Sequence, residues 1–133
     1  MSDELPEYYF RVRETGAAVY RLSTDARDGR LEMTQIAVAN TRRGDWKPQG
    51  DTVLTDADTA AIAAWIAERQ ALLAARRLDD VHKTVDHLNL TAGWAQSTAT
   101  DPELEAVTDA LLFAMHDLRS VLVRRKADRL QKR

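Results

Sequence analysis

The spacing of apolar and polar positions changes once along the chain, near residue 55. Before this point, short segments alternate between apolar and polar residues, which is the period of strands with one covered face. After it, apolar residues recur every three or four positions, which is the period of helices that bury one side. The pattern predicts an α+β fold, with an antiparallel sheet over residues 8–54 and long helices after it.

The sheet region predicts three strands and leaves a fourth open. The three strands fall at residues 8–13, 17–22 and 31–39. Gly16, in the Thr15-Gly16 pair, supplies the positive φ that a tight hairpin favours, and a second turn is predicted over 25–29. A polar loop over 40–50 would then lead into a short fourth strand at 52–54.

The helical region predicts a helix that covers the sheet, followed by a hairpin of two helices. The expected segments are 56–77 for the covering helix, and 78–97 with 102–131 for the hairpin. Thr55 and Asp58 have the spacing of a capping box at the first helix start, and Thr100 or Asp101 before Pro102 marks the start of the last helix. Together these segments fit a single domain of 133 residues.

Two features of the helices stay undecided at this point. No glycine or proline occurs between Gly50 and Gly93, so the first helix either continues past residue 78 or breaks there without an obvious breaker. The covering stripe is expected to include Ile62, Trp65, Ile66, Arg69, Leu72, Leu73 and Arg76. The hairpin seam is expected to include Leu78, Val81, Val85, Leu88, Ala92, Ala95, Leu104, Val107, Leu111, Ala114, Leu118 and Val121.

The apolar stripe on the last helix is wider than contact with one neighbouring helix requires. Leu112, Met115 and Leu122 extend it beyond the seam that contains Leu111. The expected function is therefore a non-enzymatic binding or regulatory module that forms a homodimer through these four residues. An unknown protein partner on the same surface is the alternative.

Charge is nearly balanced overall and strongly uneven along the last helix. The formal charge of −2 excludes a globally basic nucleic-acid binder. Residues 101–117 contain five acids and no lysine or arginine, whereas residues 119–133 contain seven basic residues and one acid. This asymmetry complements the helix dipole, or it provides a basic segment for nucleic acid or an acidic partner.

The first strand carries a second local concentration of positive charge. Tyr9, Arg11 and Arg13 alternate away from the apolar face, and Arg21 in the next strand is expected on the same side. Arginines beside an exposed aromatic ring suit unpaired bases and phosphates, although an ordinary solvated sheet face has the same composition.

The order of these segments resembles the single-stranded-DNA-binding domain of the positive-cofactor type of transcriptional coactivator. The resemblance covers residues 8–73 and includes Lys47-Pro48-Gln49-Gly50, the segment 53–58 and a helix with Trp65. It implies a small sheet-plus-helix dimer whose curved sheet binds single-stranded nucleic acid. The contacts implied by the resemblance are Tyr9, Arg11, Arg13, Arg21, and Arg42 or Arg43. The long helical hairpin has no counterpart in that domain.

Catalytic and metal-binding patterns are sparse, so neither an enzyme nor a cofactor is predicted. No serine lies in a glycine-flanked nucleophile turn, and no glycine-rich phosphate loop is present. Asp79, His82 and Asp86 share a helical face, but hydrogen bonding on a polar surface explains that spacing without a metal. His87 beside an acid in a hairpin is faintly similar to phosphotransfer helices of sensor histidine kinases, which leaves a phosphotransfer role as a further alternative.

The remaining composition concerns location. The chain contains no cysteine, which excludes disulfides and thiolate metal ligands. The first seven residues are acidic and lack the apolar core of a signal peptide, and no apolar run approaches the roughly 20 residues of a membrane span. A cytoplasmic protein without a membrane partner is expected.

Overall fold

The computed structural model describes residues 5–24 and 27–132 of the chain. Four strands form one antiparallel sheet in the order β1-β2-β3-β4, and two long helices follow. The elements are β1 (Tyr8–Arg13), β2 (Gly16–Thr24), β3 (Leu31–Asn40), β4 (Asp45–Pro48), α1 (Asp56–Ser97) and α2 (Asp101–Gln131). The predicted α+β fold is confirmed. The turn predicted over 25–29 lies partly outside the described residues.

The chain divides into two compact units, residues 1–80 and residues 81–133. The boundary falls inside α1, which continues through residue 78 without a break. The first unit contains the sheet and the first part of α1, and the second contains the end of α1 together with α2. The expected single-domain organisation stays a prediction.

The fourth strand is β4, and the placement of a strand at 52–54 was wrong. A four-residue turn joins β3 to β4, because Asn40 pairs with Asp45 across the two strands. Gly44 closes the turn with a φ of 78°, and its backbone N–H donates to the carbonyl oxygen of Asn40 at 2.9 Å. Trp46 of β4 then lies opposite Ala39 and packs against the core. A polar composition had suggested a loop here.

Gly16 does not have the positive φ that the sequence suggested. The two-residue turn between β1 and β2 consists of Glu14 and Thr15, because Arg13 pairs directly with Gly16. Gly16 is instead the first residue of β2, where a Cβ atom would collide with the carbonyl oxygen of Ala39. The glycine is required by close approach of two strands.

The core of the first unit forms where a bulge in β3 meets α1. Val19 pairs with Ala37 but the next residue, Tyr20, pairs with Gln35, so Ile36 is the extra residue of β3. Both Ile36 and Ala37 are fully buried as a result. The core contains Val19, Ile36, Ala37, Ala39, Ile62 and Ile66, with Tyr8, Phe10, Trp46, Leu54 and Trp65 packed around it.

The capping box at the start of α1 is confirmed. The backbone N–H of Thr55 donates to Asp58 at 2.9 Å, and the backbone N–H of Asp58 donates to the Thr55 hydroxyl at 3.0 Å. Phe10 of β1 stacks on Trp65 with ring centroids 4.9 Å apart. The covering stripe is shorter than predicted, because Leu72 and Leu73 are exposed.

The second unit begins its last helix at the predicted position. Thr100 is the N-cap of α2, its hydroxyl accepts from the Glu103 backbone N–H, and Pro102 occupies the first turn. The Glu103 carboxylate accepts from the Thr100 backbone N–H at 2.9 Å and from the Thr100 hydroxyl at 3.0 Å, and these bonds lower the pKa of Glu103. The two helical segments form the predicted hairpin.

Candidate functional site

Arg21 lies on the covered face of the sheet, so its predicted position beside Arg11 was wrong. A two-residue turn pairs each odd-numbered residue of β1 with an even-numbered residue of β2. Arg21 therefore lies opposite Tyr8, on the side that α1 covers. Its guanidinium donates to the Asp58 carboxylate, which also accepts from the Tyr8 hydroxyl at 2.6 Å.

This cluster of Tyr8, Arg21 and Asp58 perturbs the titration of two of its members. Burial alone would raise the pKa of Asp58, but hydrogen bonds from Tyr8, the Thr55 backbone and Arg21 outweigh it and lower the pKa to about 2. The hydrogen bond to Asp58 is the main cause that raises the pKa of Tyr8 to about 12. A permanently ionised carboxylate with three donors anchors the start of α1 to two strands.

The open face of the sheet carries a cluster of Tyr9, Arg11 and Tyr20, which we call the sheet site. The Arg11 guanidinium carbon lies 4.7 Å from the centre of the Tyr20 ring and 5.9 Å from that of Tyr9. Arg11 also donates to the Tyr20 hydroxyl at 3.0 Å. The Tyr9 side is 44% exposed, so one aromatic surface stays open to a ligand.

The other predicted sheet contacts are not part of this cluster. Arg13 ends β1 on the open face, at the sheet end that also carries the β3–β4 turn. Arg42 and Arg43 are exposed in that turn, where Arg43 Nε lies 3.1 Å from an Asp45 carboxylate oxygen. A shallow depression of about 320 Å³ extends the sheet site toward Leu22, Leu31 and Met33.

Tyr20 is the member of the sheet site that sequence reasoning missed. Its partner Tyr9 was identified from alternation within β1 alone. Placing Tyr20 beside it requires the register of β1 against β2, which pairs these two tyrosines directly. A turn at Glu14 and Thr15 was the signal that would have fixed this register.

The second candidate surface lies on α2. Its hairpin patch consists of Leu112, Met115 and Leu122, which are 54%, 46% and 59% exposed. None of the described residues of α2 is buried, although the helix repeats apolar residues along its whole length. The hairpin patch is therefore an apolar surface without a cover inside this unit.

The helices of the second unit pack on each other near the connecting turn. They enclose an apolar groove of about 230 Å³ whose lining includes Leu88, Trp94, Leu104, Leu111 and Met115. Leu111 is half-buried there. Of the four residues predicted for self-association, Leu111 thus contributes to the seam of the hairpin, while the three of the hairpin patch are exposed.

Catalytic, metal and membrane features complete the description. Within residues 5–24 and 27–132, no group of three or more His, Asp or Glu side chains could hold a metal ion. His87 is exposed on α1. In the described part of the chain, neither helix is long and apolar enough to cross a membrane.

Comparison of this chain with known protein families, with curated proteins and with solved structures gave no match.

Proposed function

We propose that this chain is a non-enzymatic, cytoplasmic binding module that self-associates through its helical hairpin. One observation carries the proposal: among the described residues from 67 to 132, not one is buried. Both helices nevertheless carry large apolar side chains throughout this range. Because each fully buried Leu, Val or Met contributes roughly 1.5–3 kcal/mol, covering this surface with a second copy is strongly favourable.

A second copy accounts for this surface better than a ligand in the groove does. The groove near the connecting turn occupies only one end of the hairpin, while exposed apolar residues continue to Leu130. A second hairpin of the same length offers an apolar surface of matching extent. Two hairpins together form a four-helix bundle, in which apolar stripes face a common core.

Light scattering coupled to gel filtration tests this proposal. The monomer mass is 15.0 kDa, and we expect a doubled mass that persists at high salt because apolar contact dominates. Replacing Leu112, Met115 and Leu122 together by alanine should weaken the dimer by at least about a hundredfold, since each side chain acts twice in a symmetric interface. Val53→Ala is the matched control, because Val53 is 85% exposed in the loop before α1.

A wild-type protein that stays monomeric at high concentration would refute self-association. The hairpin patch would then be assigned to a different protein. Unchanged dimerisation of the triple variant would instead remove the hairpin patch from the interface.

The sheet site supports a second candidate function, the binding of single-stranded nucleic acid. The supporting observation is that Arg11 lies over two tyrosine rings on an uncovered sheet face, with Tyr9 exposed beside it. An exposed ring can stack on a base of any identity, and the arginine can pair with phosphate.

Fluorescence anisotropy with a labelled oligothymidine tests this second function. We expect binding that weakens steeply as salt rises, because phosphate contacts release counterions. Tyr9→Ala and Arg11→Ala should each weaken binding about tenfold, while Arg76→Ala, at an exposed arginine of α1, should have a much smaller effect. Equal losses for all three variants would indicate nonspecific attraction to positive charge and would remove the sheet site.

A further inference from the structure

The charges of α2 are segregated over nearly its full length. Its first half carries Asp101, Glu103, Glu105, Asp109 and Asp117 without a lysine or arginine. Its second half carries Arg119, Arg124, Arg125, Lys126 and Arg129 with Asp128 as the single acid. The helix is therefore negative toward its start and positive toward its end.

The helix dipole does not account for this segregation. Interaction with the dipole falls off within the first and last turns. Asp109 lies two turns into α2, and Arg119 lies about three turns before its end. Charges this far from the termini require another explanation.

The second unit offers these charges no internal complement. Its part of α1, residues 81–97, contains one lysine and one aspartate, Lys83 and Asp86. In the described portion of α2, the ion pair is between neighbours, His116 and Asp117 at 3.5 Å, and its other acids and bases form none. A complement to α2 must come from outside the chain.

The charged residues share a helical face with the hairpin patch. We define the α2 stripe as Glu105, Leu112, Met115, Arg119, Leu122 and Lys126, which recur at intervals of seven, three, four, three and four. These intervals place all six along one side of an α-helix. All six are exposed. The stripe thus has an acidic end, an apolar middle and a basic end.

We infer that two copies of α2 pack antiparallel along this stripe, with the acidic half of each against the basic half of the other. The inference rests on the proposed self-association and gives it a direction. A two-fold axis beside Asp117 places Leu112 opposite Leu122 of the second copy. It also places Glu105 between Lys126 and Arg129 of that copy. Parallel packing would put Glu105 beside its own counterpart and Lys126 beside its own, so like charges would repel.

Spin-label distances between the two copies test the direction. The chain has no cysteine, so Ala106→Cys or Ala127→Cys provides a single attachment point at a small, exposed residue of α2. Antiparallel packing about Asp117 separates identical labels by about 30 Å along the helix axes. A mixture of the two labelled variants should add a short distance of about 10 Å, the spacing of packed helices.

The result separates the direction from self-association itself. Short distances between identical labels in a dimer of doubled mass would overturn the antiparallel inference and leave self-association intact. The absence of a dimer would overturn both.

Charge reversal provides a second test of the same contact. Glu105→Lys should weaken the dimer roughly tenfold, and adding Lys126→Glu should restore it. These two residues lie about 30 Å apart within one helix, so restoration can arise only between copies. Failure of the second change to restore the dimer would overturn the pairing of these two ends.

Discussion

Replacing Asp58 by alanine is expected to reduce the free energy of unfolding by about 2–4 kcal/mol at neutral pH. The Asp58 side chain is buried and accepts hydrogen bonds from Tyr8, Arg21 and the Thr55 backbone. Alanine leaves the first two donors without their acceptor and removes half of the capping box. Denaturant unfolding at fixed protein concentration, followed by the fluorescence of the core tryptophans, measures the loss.

Asp56→Ala is the matched control for this substitution. Asp56 is also an acid in the first turn of α1, but it is exposed. Its loss removes a similar interaction with the helix dipole, worth about 0.3–1 kcal/mol. Equal destabilisation by the two substitutions would contradict a special role for the buried cluster.

The pH dependence of stability identifies the same carboxylate. Because the pKa of Asp58 is lowered to about 2 in the folded protein, its contribution is complete above the unfolded pKa of about 3.9. That contribution, about 2 kcal/mol, is lost as pH falls from about 5 toward 2. Asp58→Asn should therefore flatten the acid limb of the stability profile. An acid limb as steep as that of the unmodified protein would contradict the assignment.

The residues around Asp58 show which parts of the site were predictable from sequence. The capping box of Thr55 and Asp58 depends on residues three positions apart, so its pattern was sufficient. The bond from Arg21 joins residues 37 positions apart and depends on strand register. A register cannot be fixed until the turn residues are known, and the turn was placed one residue too late.

The same distinction separates the helices from the strands. Spacings of three and four predicted α2 and its exposed patch, because helix periodicity is a local property. β4 was missed because it is short and polar and depends on pairing with β3. The bulge at Ile36 also depends on pairing, since it is defined only relative to β2.

Gly16→Ala is expected to cost about 3 kcal/mol or more, at the upper end of overpacking effects. The added Cβ would collide with the carbonyl oxygen of Ala39, which belongs to the backbone of a paired, buried strand. Because no flexible side chain can give way, β2 and β3 must separate or shift register. Thermal unfolding followed by circular dichroism should show a lower midpoint and a broader transition.

Gly50→Ala separates this steric effect from the conformational freedom of glycine. Gly50 has a φ of 55°, yet a Cβ there would meet no atom within 4 Å. Alanine at such a position costs roughly 1–2 kcal/mol from backbone strain alone. Gly16 has no positive φ, so its larger cost must come from contact with β3. If Gly16→Ala destabilises the protein less than Gly50→Ala, the two strands do not approach as closely as the structure indicates.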